Sequence, residues 1–423
     1  MNGQNFMNIT PQPNNTFCYY PFYAIAIKSF SGSNLRKVSP CCKMMDLGRS
    51  VLTEKQIKDL SLIEIFEHEK FEKLRSDSLN NIRNSNCQVC WRQEDKNMKS
   101  FRLQSTWAFD DSFKKDLREF DVSFSNKCNL SCRMCNTGST HQLYKDKHFF
   151  EKNNLIDDIN YASSNSFFPS VNIDTINNKQ LNWLLENTDK IKVLKISGGE
   201  PLYEKKVLKL LNIMIEKGTS KNCVIQLHTN AFLLDTKNIE ILNNFKYQSH
   251  TFSMDGVDSI YNYIRHYSSF DVVEKNIMNW LNESNNILSL NFNLVLTALN
   301  LMNLKEYFQW INDIFNFKYD VKVDISEARP FTRGTSICNL PIKYLKKSRD
   351  KIENFFEKFS SNNIIYDREN ILIMIDNAIK NNKYDFNHKN LKKEIVLLDM
   401  SRNQKYSDYL NSELIEVIDG IQL

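Results

Sequence analysis

Phe120-Asp121-Val122-Ser123-Phe124-Ser125-Asn126-Lys127-Cys128-Asn129-Leu130-Ser131-Cys132-Arg133-Met134-Cys135 is the stretch that decides how the chain is read. Its first five residues predict a strand. Three cysteines at C-x3-C-x2-C follow directly, on a loop that can wrap one metal centre. Cysteine thiolates hold iron–sulfur clusters, and a [4Fe–4S] cluster normally takes four of them. Three leave one iron open to another ligand. The competing metal is zinc, which uses paired C-x2–4-C units with further Cys or His. His141 and His148 are the histidines within reach in sequence, and they lie in an irregular stretch.

Outward from this loop the chain alternates strands and helices. Predicted strands run over 120–124, 193–197, 224–229, 251–253, 288–295 and 321–325. Helical periodicity occupies 202–217, 236–244, 272–282 and 304–315. Such alternation implies a parallel sheet covered by helices. About six units predict an open, partial (β/α)6 barrel. Residues 136–170 read as an elaboration after the first strand. Beyond Ile337 the strand signal fades into helical, charged patterns at 342–359, 370–381 and 391–399. The first 115 residues differ: a strand over 23–30, a hairpin turn at Ser31-Gly32-Ser33-Asn34, and a charged helical pattern over 54–80. The expected division is 1–115, 116–336 and 337–423.

Composition narrows the function classes. Hydrophobic residues at 41% and charged residues at 25% are ordinary for a soluble packed protein. Scarce Gly and Pro beside abundant Asn, Lys and Ile read as a genome bias. The net charge of +5 comes without a clustered basic stripe, so a nucleic-acid partner is not expected. No apolar run reaches the ~20 residues that span a membrane, and the polar N-terminus has no signal-peptide core. A cytoplasmic protein with reduced thiols is expected. Its ten cysteines then call for a metal before a disulfide, and eight of them fall in the first third.

The cysteine loop resembles the C-x3-C-x-Φ-C signature of the radical S-adenosylmethionine (SAM) superfamily, with Met134 as Φ. Further stretches resemble that family's motifs in order. Ser197-Gly198-Gly199-Glu200-Pro201 is similar to its GGEP turn, and His228-Thr229-Asn230-Ala231 to a T-N-G turn with Ala for Gly. Phe252-Ser253-Met254-Asp255-Gly256 resembles S-x-D-G. Tyr263-Ile264-Arg265 with Phe270, Val273, Asn276 and Ile277 resembles a segment of peptide-modifying members. The first four of these, the cysteine loop included, each stand at the C-terminal end of a predicted strand, at the face where parallel barrels build their sites.

The resemblance implies a SAM-binding [4Fe–4S] cluster on Cys128, Cys132 and Cys135. It implies SAM contacts at Met134, Gly198, Gly199, Glu200, Asn230, Ser253 and Arg265. Reduced, the cluster cleaves SAM to a 5′-deoxyadenosyl radical that abstracts hydrogen. Cys18, Cys41, Cys42, Cys87 and Cys90 resemble an auxiliary-cluster (twitch or SPASM) domain, here placed before the core. Cys41 is preferred over Cys42 because it follows Pro40, and structural zinc is the alternative. Cys338, on a loop after the last strand, is a candidate catalytic thiol, while Cys223 reads as a buried apolar residue. The implied partners are a peptide, protein or small-molecule substrate and a flavodoxin- or ferredoxin-type electron donor. Competing readings are a sugar, nucleotide or lipid substrate, or a non-enzymatic iron–sulfur or zinc redox sensor.

Overall fold

The computed structural model describes residues 16–29, 36–46, 49–104, 115–163, 174–315, 319–327, 333–359, 363–382 and 388–422. The main sheet consists of β1 (Ala24–Ser29), β2 (Arg36–Ser39), β3 (Glu119–Ser123), β4 (Val193–Ser197), β5 (Val224–Thr229), β6 (Tyr247–Ser253), β7 (Ile287–Leu296), β8 (Val321–Glu327) and β9 (Ile364–Tyr366). Their spatial order is β9-β8-β7-β6-β5-β4-β3-β1-β2, and every pairing is parallel except β1–β2. Between β4 and β8 lie the helices Lys205–Glu216, Thr236–Leu242, Phe270–Glu283 and Leu304–Phe315. The architecture is an open α/β sheet, as the alternation predicts.

The sheet is wider than the expected six strands. β9 has three residues between two helices, too few to carry a period. β1 is legible as a strand, but its neighbour is not. It pairs with β3 in parallel, Ala24 opposite Glu119, so the N-terminal hairpin extends the core sheet. The turn expected at 31–34 lies outside the described residues. The helical pattern over 54–80 is broken into Glu54–Asp59, Leu62–Phe66 and Glu69–Leu79. Thr53 with Gln56 and Ser61 with Glu64 form capping boxes that start the first two. The helix Asn178–Glu186 receives them: Asn177 donates to the Lys58 carbonyl at 2.8 Å, and Gln180 to those of Ile57 and Leu60, each at 3.0 Å.

Side chains alternate cleanly across the sheet. One face is apolar and packs on helices. Phe120 meets Trp183 at a ring separation of 5.4 Å, Phe252 meets Trp280 at 5.3 Å, and Phe292 meets Trp310 at 5.6 Å. The other face carries Asp121, Lys195, Gln226, His228, Ser249, Thr251, Asn291 and Asn293, most of them only partly buried. A closed barrel fills its interior with branched apolar side chains. This inner face is polar and reaches solvent.

After β3 come the helices Leu143–Lys152 and Ile156–Ala162. The tail forms Ile342–Lys358, Arg368–Asn381, His388–Arg402 and Ser412–Asp419. Among the described residues no helix is long and apolar enough to cross a membrane.

Candidate functional site

The cysteine loop leaves the C-terminal end of β3. Cys128 and Cys132 are buried, and Cys135 is half-buried beside them with Met134 against the same small core. Residues Ser131–Cys132 pair antiparallel with Arg265–His266, which sets Cys132 opposite Arg265. The Cys132 and Cys135 thiols share a hydrogen bond, which lifts the first and lowers the second. Burial, then the Cys132 charge, pushes the Cys128 thiol up. His141 is no spare ligand at Nδ1, because that atom accepts the Cys128 amide at 3.2 Å.

The glycine turn after β4 abuts this loop. Gly199 sits at φ +55°, and a Cβ there would fall deep inside contact distance of the Lys127 carbonyl oxygen. Gly198, at φ +80°, would place one 2.5 Å from Ser123 Oγ. Only glycine passes both conditions without strain. The Glu200 amide donates to the Lys127 carbonyl at 2.8 Å. Its buried carboxylate accepts Thr229 Oγ1 at 2.7 Å and the Asn230 amide at 2.8 Å. Burial nonetheless pushes the Glu200 carboxyl above its ordinary range, against those hydrogen bonds. Asn230 in turn donates to Asn129 Oδ1 at 2.8 Å and approaches Cys128 Sγ at 3.9 Å. Glu200 and Asn230 therefore tie β4, β5 and the cysteine loop together.

Arg265 is buried, paired with Asp255 at 2.7 Å, and 3.9 Å from Cys132 Sγ. Burial opposes its charge, but Asp255 and then Cys132 outweigh it and hold the guanidinium above its ordinary range. Ser253 ends β6 on the inner face. Below it a charged group spans three strands: Lys28 reaches Asp121 at 3.0 Å and Lys195 reaches it at 3.7 Å. Burial resists ionisation of Asp121, yet the two lysines hold its carboxyl below the ordinary range. Burial, with the same lysines, pushes His228 down to about 4. Burial and Asp121 push Glu119 up to about 7. The signature cysteines, Gly198, Gly199, Asn230, Ser253 and Arg265 all lie at the C-terminal ends of β3–β6 or on the loops beyond. Asn129, His141 and Asp255 join them; no sequence pattern had marked Asn129 for this site, and His141, weighed as a zinc partner, accepts the Cys128 amide.

Residues 122–311 match the model of the Radical SAM superfamily. Over that stretch the chain is similar to a radical SAM domain. No curated protein matches the chain. Among solved structures it is similar to SuiB of Streptococcus suis bound to precursor peptide SuiA. Identity there is 16%, TM-score 0.38, with 67% of this chain and 62% of that one covered. It is also similar to anSMEcpe with bound AdoMet, at 18% identity and TM-score 0.37, covering 57% of this chain and 61% of that one. The chain thus spans about three fifths of the length of these structures. The radical SAM family implies a [4Fe–4S] cluster and SAM, and the donor set here fits: three thiols of one short loop, with a guanidinium beside them. Among the described residues no group of three or more His, Cys, Asp or Glu side chains is drawn together to hold a metal ion. In a four-iron cluster each thiolate meets a different iron, so its sulfurs stand further apart than those around one zinc.

The N-terminal cysteines gather away from the radical SAM loop, near the N-terminal ends of β1 and β3. Cys18, Cys41, Cys87 and Cys90 line one cavity, of about 560 Å³ with its open mouth included. Burial raises all four thiols, and the Cys87 charge adds to the effect at Cys18. Cys42 is not among the lining residues; its charge acts on Lys195 and Tyr20 as well as on Cys41. Arg102 walls the cavity, paired with Glu94 and donating to the Phe17 carbonyl at 2.7 Å. Cys338 is buried in the turn Ile337–Asn339, beside Ser336 and Glu327.

Proposed function

We propose that the chain is a radical SAM enzyme that abstracts hydrogen from a peptide or protein substrate, assisted by an auxiliary [4Fe–4S] cluster at Cys18, Cys41, Cys87 and Cys90. The observation that carries the reading is the junction of the cysteine loop with the Gly198–Gly199 turn above a polar, solvent-reaching inner face. When bound, the reduced cluster on Cys128, Cys132 and Cys135 supplies the electron that splits SAM into methionine and a 5′-deoxyadenosyl radical. The chain's own residues do the positioning. Lys127 and Glu200 lock the glycine turn against the loop, leaving open backbone where a ligand's polar groups can approach. Arg265, held by Asp255, sets a fixed positive charge beside Cys132 and favours the thiolate. Met134 and Ser253 are the contacts we assign to bound SAM.

Hydroxyl and amide side chains on the inner face support a hydrogen-bonding substrate over a lipid. The resemblance of the segment from Tyr263 to Ile277 to peptide modifiers supports a peptide. Against it stands the structural work of that segment: Arg265 pairs with Asp255, and Asn276 donates to the Ala231 and Phe232 carbonyls at 3.0 Å each. A sugar or nucleotide is the second reading, equally served by the polar face. A flavodoxin- or ferredoxin-type donor completes the scheme. The division at about residues 115 and 336 is retained as one of composition.

The test is SAM cleavage by anaerobically reconstituted protein under reductant. Cys132→Ala should abolish 5′-deoxyadenosine formation, whereas Cys90→Ala should leave part of it. Folded, reconstituted wild-type protein that neither binds nor cleaves SAM would return the chain to the redox-sensor class.

A further inference from the structure

Three charged residues of one tail helix, His388–Arg402, are buried against the cysteine loop, although that helix lies far outside the family match. Arg402 pairs with Asp146 at 2.9 Å, and both reach Ser131 Oγ at 3.2 Å. Asp399 pairs with Arg133, accepts Tyr263 Oη at 2.9 Å and accepts the Tyr406 amide at 2.7 Å. Arg133 also stacks 3.6 Å over the Tyr263 ring. Glu394, fully buried, binds Arg333 Nε at 2.8 Å. Arg333 turns its remaining nitrogens to the loop's backbone, donating to the carbonyls of Arg133, Met134 (2.8 Å) and Cys135 (3.2 Å). Gly334 lets this crossing happen: a Cβ there would stand 2.8 Å from Glu394 Oε2 and closer still to the Asn390 carbonyl oxygen.

Every residue from Ser131 to Cys135 except Cys132 is thus held, directly or through Arg333, by this helix or by a residue paired to it. Cys132 is held from the other side by the Arg265 pairing. We infer that Glu394, Asp399 and Arg402 are positioning residues for the cluster loop, so that the tail helix is a working part of the SAM-cluster site. This rests on the reading that Cys128, Cys132 and Cys135 hold a cluster. The physical ground is asymmetric. A buried charge pair adds little net stability, but removing one partner strands the other in a dry setting. In Glu394→Gln the group that loses a carboxylate is Arg333, which also donates to the loop's carbonyls. In Asp399→Asn it is Arg133, a loop residue.

The test needs no cluster for its first arm. Alkylation rates of each cysteine are measured by mass spectrometry on the full-length apoprotein, with Cys223 as the buried-core reference. Glu394→Gln and Asp399→Asn should each label Cys128, Cys132 and Cys135 about 100-fold faster than wild type or more. Cys18, Cys87, Cys90 and Cys223 should keep their wild-type rates. Lys393→Ala, which removes a surface pair with Asp158, should change none of them. In the second arm, reconstituted variants should lose SAM-cluster iron or shift its electron paramagnetic resonance spectrum. Unchanged rates at the three loop cysteines in both variants overturn the inference. A uniform rise that includes Cys223 in both overturns it too, assigning the helix to the general fold. A wild type that takes up no iron refutes the cluster reading alone, and the labelling arm then decides this one.

Discussion

Replacing Gly199 by alanine tests how tightly the glycine turn and the cysteine loop depend on each other. Two costs apply. At φ +55° an L-residue is disfavoured by about 1–2 kcal/mol. The added Cβ also lands on the Lys127 carbonyl, whose carbon and nitrogen lie 3.0 Å from it as well. That backbone cannot move freely, since its carbonyl accepts the Glu200 amide and its amide donates to Ser125 Oγ at 3.2 Å. Losing one such hydrogen bond costs about 1 kcal/mol. A total of about 2–3 kcal/mol follows. Gly218 supplies the control: it has φ +70°, and nothing lies within 4 Å of its would-be Cβ. Gly218→Ala should therefore cost only the backbone share, about 1–2 kcal/mol. Denaturant unfolding of both variants reads the difference, and iron content after reconstitution reads the displacement of Cys128. If Gly199→Ala were no less stable than Gly218→Ala and loaded iron normally, the close approach would be energetically empty and the reasoning wrong.

Two further outcomes follow from the site. Reconstituted protein should hold about eight irons, as two four-iron clusters require. Cys41→Ala should lower that by about half while Cys42→Ala leaves it near wild type; equal loss from both would sink the cavity assignment. His228 makes stability pH-dependent. Its folded pKa lies below the unfolded value, so below about pH 6.5 the unfolded state binds the extra proton and stability falls until about pH 4. The swing is at most about 3 kcal/mol, and His228→Gln should flatten it in denaturant titrations between pH 7 and pH 5.

What the sequence disclosed was whatever rests on local periodicity. β4, β5 and the helix Leu304–Phe315 have the predicted bounds, because their alternation or 3.6-residue pattern is strong. The cysteine loop and glycine turn were legible because they are contiguous motifs. Pairings between distant segments were not. Nothing near Ala24 announces Glu119 as its neighbour, and nothing near Arg133 announces Asp399. Arg265 was expected to contact SAM, and its carboxylate partner within the protein is Asp255, ten residues upstream. Glu200 was expected to touch a cofactor, and within the protein its carboxylate accepts the Thr229 hydroxyl and the Asn230 amide at the end of β5. Such assignments need three-dimensional proximity, since a buried charge is explained only by whatever neutralises it.

The loop–helix pairing also orders events in time. β3 to β8 lie side by side in chain order, so each unit can dock on the one before it as the polypeptide lengthens, with modest loop closure at every step. Arg133 and Asp399 are separated by 266 positions. The entropic penalty of so long a closure is slight, about 0.6 kcal/mol per doubling of length. The delay is not slight: a nascent chain can display a nearly finished sheet while its cysteine loop still lacks its fastening. The cysteine loop therefore acquires its final shape only once Asp399 has been made, and metal delivered earlier meets an unfastened loop.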